Sequence, residues 1–231
     1  MPILPGPPPV EVTLRRSARA TRFSLRVSRL DGAVTLSLPL RAREHEALAF
    51  LQAQEGWLRG ALARMPQTAR IGLGAILPVE GQKLHLAPGT GRSLRVDGDH
   101  LLVPGDPAQA GARVQAWLKA LARDRLVQAS DHYAAKIGRR VTRVTLRDTR
   151  SRWGSCTAEG ALMYSWRLVM APPEVLRYVA AHEVAHLVEM NHSQRFWAVV
   201  EGLYPGWQVQ RAWLHSHGGA LQSLRFGAAG D

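Results

Sequence analysis

Between Arg22 and Leu38 apolar and polar residues alternate. Phe23, Leu25 and Val27 point one way, and Arg22, Ser24, Arg26 and Ser28 the other. After Asp31-Gly32, a tight-turn pair, Val34, Leu36 and Leu38 resume the pattern. A period of two is that of a half-buried strand, so the segment predicts a β-hairpin. The period then changes: Leu48, Leu51, Leu58, Leu62 and Met65 recur at helical spacing and predict one amphipathic helix over 42–64, weakened locally at Gly56. A second hairpin is predicted around Asp97-Gly98, with Leu94 and Val96 before it and Leu101 and Val103 after.

From Asp106-Pro107 onward the helical period dominates. A capping carboxylate followed by proline marks a helix start, Val114, Leu118, Leu121 and Tyr133 carry it, and Gly138 ends it. Strands are predicted at 141–146 and 161–166. Pro172-Pro173-Glu174 opens a further helix, with prolines in its first turn and an acid at its positive end. Ser193 caps another helix through Phe196, Trp197 and Val200, ending near Gly202 and Pro205, and a last one spans 207–215. No internal repeat is visible.

Composition narrows the classes. The 231 residues carry a net charge of +12 and one cysteine, Cys156, so an internal disulfide is excluded. No apolar run approaches the roughly 20 residues needed to cross a bilayer. The proline-rich start lacks the apolar core of a signal peptide. These features predict a cytoplasmic protein without a membrane partner. The positive charge invites an anionic partner, but it is spread along the chain, with denser arginine groups at 15–29, which reads as solvated strand faces, and at 139–152. A nucleic acid or nucleotide is therefore the weaker expectation and a polypeptide substrate the stronger.

One motif carries chemistry. His182-Glu183-Val184-Ala185-His186 falls inside a predicted helix, where residues four apart stack on one face, so both imidazoles can point at one ion. Glu183 flanks that face, within reach of a water on the ion. His192 lies just past the expected helix end at Met190-Asn191, where asparagine tolerates a left-handed turn, and is the expected third ligand. Glu201 on the next helix is the competing ligand or a supporting residue. Three neutral imidazoles leave Zn2+ its full charge and an open position; that charge lowers the pKa of its water from roughly 15.7 toward 7, and Glu183 is the expected general base. Tyr164, Arg152, Arg167 and Tyr204 are candidates to stabilise the oxyanion. Arg147, Arg150 and Arg152 would instead serve a phosphoanhydride substrate. Residues 161–166 could form an edge strand that pairs with an extended peptide.

Arg150-Ser151-Arg152-Trp153-Gly154-Ser155-Cys156, Ser165-Trp166-Arg167-Leu168-Val169-Met170-Ala171-Pro172-Pro173, the HExxH segment and Met190-Asn191-His192-Ser193 with Phe196-Trp197 together resemble the YgjP-like metallopeptidases, relatives of SprT-like zinc proteases. The resemblance is dense over 141–207 and looser over the N-terminal half. It implies a zinc peptidase in which His182, His186 and His192 hold the metal and Glu183 acts on water; by analogy with the SprT-like relatives, a nucleic-acid-associated protease is a further expectation. The expected fold is α+β: a β-rich N-terminal half with one helix, then a helix-rich, zincin-like C-terminal half with a small sheet. The expected divisions are a disordered tail at 1–10, a β-rich region at 11–106, a metallohydrolase domain at 107–219 and a C-terminal tail at 220–231.

Overall fold

The computed structural model describes residues 2–28, 32–64, 69–149 and 151–227. Asp31 of the first predicted turn, Met65 of the first helical stripe and Arg150 lie outside them. The fold is α+β, and the chain divides into two compact units, 1–67 and 68–231.

In the first unit, β1 (Ile3–Leu4) pairs antiparallel with β2 (Val10–Ser17), β2 runs parallel to β4 (Val34–Pro39), and β3 (Ser24–Val27) pairs antiparallel with β4. The predicted alternation is realised: Val34, Leu36 and Leu38 are buried on one face. Residues 2–10, expected to be a free tail, are docked. Leu4 is buried, and Arg59 of the second helix donates to the carbonyls of Pro5 and Pro8 at 2.8 and 3.1 Å. The single expected helix is two, α1 (Glu44–Ala53) and α2 (Glu55–Ala63), broken at Gln54 rather than weakened at Gly56. The break lets Ala47 and Leu51 from α1 and Leu58 from α2 all reach the same core.

In the second unit, β5 (Ile76–Val79), β6 (Gln82–Gly89), β7 (Arg95–Asp97) and β8 (His100–Pro104) form a sheet of order β5-β6-β8-β7. These strands, grouped by the sequence with residues 11–106, share the core of the C-terminal helices. Their connectivity repeats that of the first sheet, with a central parallel pair between two antiparallel ones. Ser-Leu-Arg-Val stands at 24–27 and again at 93–96, so a repeat invisible in the overall pattern is present in the topology.

After Asp106, whose carboxylate accepts from the Ala108 amide, α3 (Ala110–Lys136) runs to Gly138. Arg139 and Gly138 donate back to Ala134 and Ala135, closing the helix with a left-handed glycine at φ +61°. Val114, Leu118, Ala122, Leu126 and Tyr133 form its buried stripe. The third sheet has β11 (Ala161–Ser165) at its centre, parallel to β9 (Arg143–Arg147) and antiparallel to β10 (Gly154–Cys156). The strand read as a possible edge is thus central, with both sides paired, and cannot accept a peptide. Three helices complete the unit: α4 (Pro173–Ala185), α5 (Gln194–Leu203) and α6 (Gln208–Ser223). The last is longer than expected, and the chain beyond it is anchored. Phe226 is buried edge-on against Trp166, and Arg225 and Ile71 exchange backbone bonds with Ala69 and Arg225. No helix among the described residues is long and apolar enough to cross a membrane.

Candidate metal centre

His182 and His186 lie one turn apart at the C-terminal end of α4, with His186 as its capping residue. The helix ends earlier than the sequence suggests. It unwinds through tightened bonds from Leu187 to Val184 and from Val188 to Ala185, and Asn191 takes no left-handed conformation. That unwinding aims the Glu189 carbonyl at His186 Nδ1, 3.0 Å away, so the imidazole donates there and keeps its Nε2 lone pair free. The turn also returns His192 to the helix. The candidate ligand atoms of His182, His186 and His192 lie within 4.8 Å of one another. His192 Nε2 and His182 Nε2 face each other at 3.1 Å.

These residues fit a metal. Two tetrahedral ligands at roughly 2.0–2.1 Å from one ion sit a little over 3 Å apart, close to the separation of the two facing nitrogens. Neutral rings whose lone pairs converge are stabilised by a shared cation, and burial favours the neutral form here. Burial, then the neighbouring histidines, push His182 down to about 3, and burial also lowers His186.

The floor of the cluster is Phe196, which is fully buried, with its ring centroid 4.9, 4.4 and 4.7 Å from those of His182, His186 and His192. Ser193 caps α5 by accepting from the Phe196 amide, so the residue that follows the third histidine also sets the floor. Trp197 lies beside it, stacked on Trp207 at 4.2 Å, and the ring of Tyr178, four residues before His182, lies nearly parallel to Trp207 at 6.3 Å.

Glu183 is 5 % exposed, and burial pushes its carboxyl up to about 8, with Arg152 acting in the opposite sense. The strand segment Gly154–Cys156 has its explanation here. A Cβ at Gly154 would stand 2.5 Å from Glu183 Oε1, so only glycine lets β10 lie against that carboxylate. Trp153 is seated in turn on Gly218 of α6, where a Cβ would come within 2.7 Å of its ring. A cleft of about 350 Å³ exposes Glu183 and His182 beside Arg152, Tyr178, Arg211 and His215.

The remaining candidates are dispersed. Tyr164 is fully buried behind β10, its hydroxyl 3.0 Å from Ser130 Oγ, and burial raises its pKa; it does not line the cleft. Glu201 accepts from the Gly206 amide at 3.3 Å, holding the turn before α6, and is not among the clustered metal-binding groups. Arg167 is bound to Asp148 at 2.6 Å and to the carbonyls of Leu221 and Leu224, fastening the C-terminal segment. Tyr204 packs between Tyr133 and Tyr178. Of the three arginines considered for phosphate, Arg152 lines the cleft, Arg147 sits on β9 without lining it, and Arg150 is outside the described residues. Tyr178, Arg211 and His215 line the cleft without having been singled out from sequence. Only Tyr178 left a signal, its place on the helix face of His182 and His186.

A helix that supplies two of three convergent histidines and a buried glutamate between them defines the HExxH class of metal-centred hydrolases. A family model described as YgjP-like, metallopeptidase domain, matches residues 21–217, and the chain belongs to that family. Among solved structures, that of the metallopeptidase zymogen of Pyrococcus abyssi abylysin is similar at 21% identity and a TM-score of 0.37, covering 39% of this chain and 92% of that one. No curated protein matches the chain.

Proposed function

We propose that this metallopeptidase uses zinc, held by His182, His186 and His192, with Glu183 as general base. The observation that carries the reading is the convergence of three imidazoles on one point, one of them with its tautomer set by a backbone carbonyl, next to a buried carboxylate. Bound zinc would supply a Lewis acid that polarises the scissile carbonyl and acidifies a water. The protein's own part is positioning and proton transfer. Glu183, confined by Gly154 on one side and α4 on the other, takes a proton from the attacking water and returns it to the leaving nitrogen. Such a base is worth roughly 10²–10⁴-fold. Burial raises its proton affinity toward neutrality, while a divalent charge at the histidines acts in the opposite sense. β10 is an edge strand that lines the cleft at Gly154, where an extended peptide can add as a further strand.

The test is metal content set against turnover. His182→Ala, His186→Ala and His192→Ala each lose bound zinc by elemental analysis, whereas Glu183→Gln keeps it and loses cleavage of unfolded polypeptide. Full zinc occupancy in His192→Ala together with loss in Glu201→Ala would overturn the ligand set. Nucleoside triphosphate hydrolysis that vanishes in Glu183→Gln, without peptide cleavage, would overturn the peptidase reading.

A further inference from the structure

We propose that the cleft selects substrates with a carboxylate beside the scissile bond, and that Arg211, with Arg152 in the same cleft, is the group that recognises it. The inference rests on the peptidase reading above and names its substrate class.

Arg211 projects from α6 onto the aromatic stack beside the histidines. Its guanidinium carbon is 5.2 Å from the ring centre of Trp197 and 5.7 Å from that of Trp207. Trp197 is itself 5.7 Å from His182 and 5.9 Å from His192 between ring centres. A guanidinium held against indole rings keeps its in-plane N–H fork for an acceptor at the edge, which is the geometry of bidentate carboxylate binding. Arg152 stands on the segment that leads into β10, close enough for its charge to act on Glu183.

Among the described residues, neither arginine is in a salt bridge. The same unit neutralises others: Arg167 pairs with Asp148 at 2.6 Å, Arg125 with Glu80 at 2.6 Å and Arg177 with Glu174 at 3.4 Å. Among the described residues, the single carboxylate lining the cleft is Glu183, which is buried and assigned to the reaction by the reading above. Two guanidiniums therefore face one cleft without an acid of their own among the described residues, and one of them is held beside two indole rings. A substrate carboxylate completes the charge balance and fits the fork. It could come from an Asp or Glu side chain or from the chain's C-terminus.

The experiment uses zinc-loaded full-length protein and a series of otherwise identical peptides. Each carries Glu, Gln or Lys at one position scanned across the cleavage site, with a free or an amidated C-terminus. Cleavage is followed by mass spectrometry, and binding to zinc-loaded Glu183→Gln by fluorescence anisotropy. A charge-assisted contact predicts Glu over Gln by roughly tenfold to a hundredfold in kcat/KM and in affinity, with Lys worst. A Glu-over-Gln preference that survives amidation assigns a side-chain carboxylate; a preference for free over amidated C-termini, whatever the scanned residue, assigns the terminal one. Arg211→Gln and Arg152→Gln should each flatten the Glu/Gln ratio while keeping zinc. Arg211→Glu should turn the preference toward Lys, a reversal that a purely structural role would not give. Glu and Gln peptides cleaved and bound equally by the wild-type protein, together with no difference between free and amidated C-termini, would overturn this inference and leave the peptidase reading standing. No peptide cleaved or bound would overturn both.

Discussion

The closest packing at the site lies between Gly154 and Glu183, and Gly154→Ala tests what it does. The added methyl would meet Glu183 Oε1, Cγ and Cδ at 2.5, 2.6 and 2.7 Å. Restoring ordinary contact requires a retreat of about 0.9 Å from the nearest of these atoms. The helix is poorly able to give, because Ala180, Ala181 and Val184 around Glu183 are all fully buried. The carboxylate must therefore rotate away from its place. Misplacing a reacting group by about 1 Å costs on the order of 10²-fold in kcat, and overpacking costs about 1–3 kcal/mol of stability. At roughly 2–4 °C per kcal/mol, the melting temperature falls by about 2–12 °C. Zinc content should remain that of wild type, since none of the three histidines is among the atoms met. The assay combines peptide turnover, elemental analysis and thermal unfolding. In a Glu183→Gln background the same substitution should add no further kinetic loss, because the group it displaces no longer acts. A Gly154→Ala protein with wild-type kcat, or one that has lost its zinc, would refute the argument that β10 sets the position of the base.

Other expectations follow from packing and charge. Leu4→Ala should lower the stability of the first unit by about 2–3 kcal/mol in urea unfolding, because the residue is buried in the edge strand β1; a change under about 0.5 kcal/mol would return residues 2–10 to a free tail. Ser130→Ala should cost about 1–3 kcal/mol by stranding the buried Tyr164 hydroxyl, and Ser130→Ala with Tyr164→Phe should cost less than the sum of the two single changes. In metal-free protein, Glu183 is raised from 4.5 to about 8 and His182 lowered from 6.5 to about 3. Between 4.5 and 8 the folded state holds the Glu183 proton that the unfolded state has released, so this group's contribution falls as pH rises. Between 3 and 6.5 the unfolded state holds the His182 proton, so that contribution falls as pH drops. The two cancel near pH 5–6, and stability should decline on both sides. Chelator-treated Glu183→Gln should lose the decline on the alkaline side; an unchanged alkaline limb would reject the assignment.

What the sequence determined by itself is local. The i, i+4 spacing of His182 and His186 specifies two imidazoles on one helix face, Asp106 and Gly138 specify the ends of α3, and period-two alternation specifies β3 with β4. Each depends on residues close along the chain, where backbone geometry alone relates the side chains. The β5–β6 hairpin escaped notice because prolines at 78 and 88 interrupt its alternation and its turn begins with a positive-φ Glu80 rather than the usual glycine or asparagine. Gly56 announces a weakness, but the break falls two residues earlier, at Gln54, where it follows from what α1 and α2 must bury. The tertiary structure alone decided the rest of the site. Phe196 beneath the three imidazoles, Gly154 against Glu183, Trp153 on Gly218, and Arg211 beside Trp197 join residues from separate elements, and Tyr164 is withdrawn from the cleft by its bond to Ser130. Pattern along a chain encodes which face of an element is apolar, but not which partner that face will meet. That choice is made by close packing, where one missing Cβ at Gly154 decides where the Glu183 carboxylate, the proposed base, can stand.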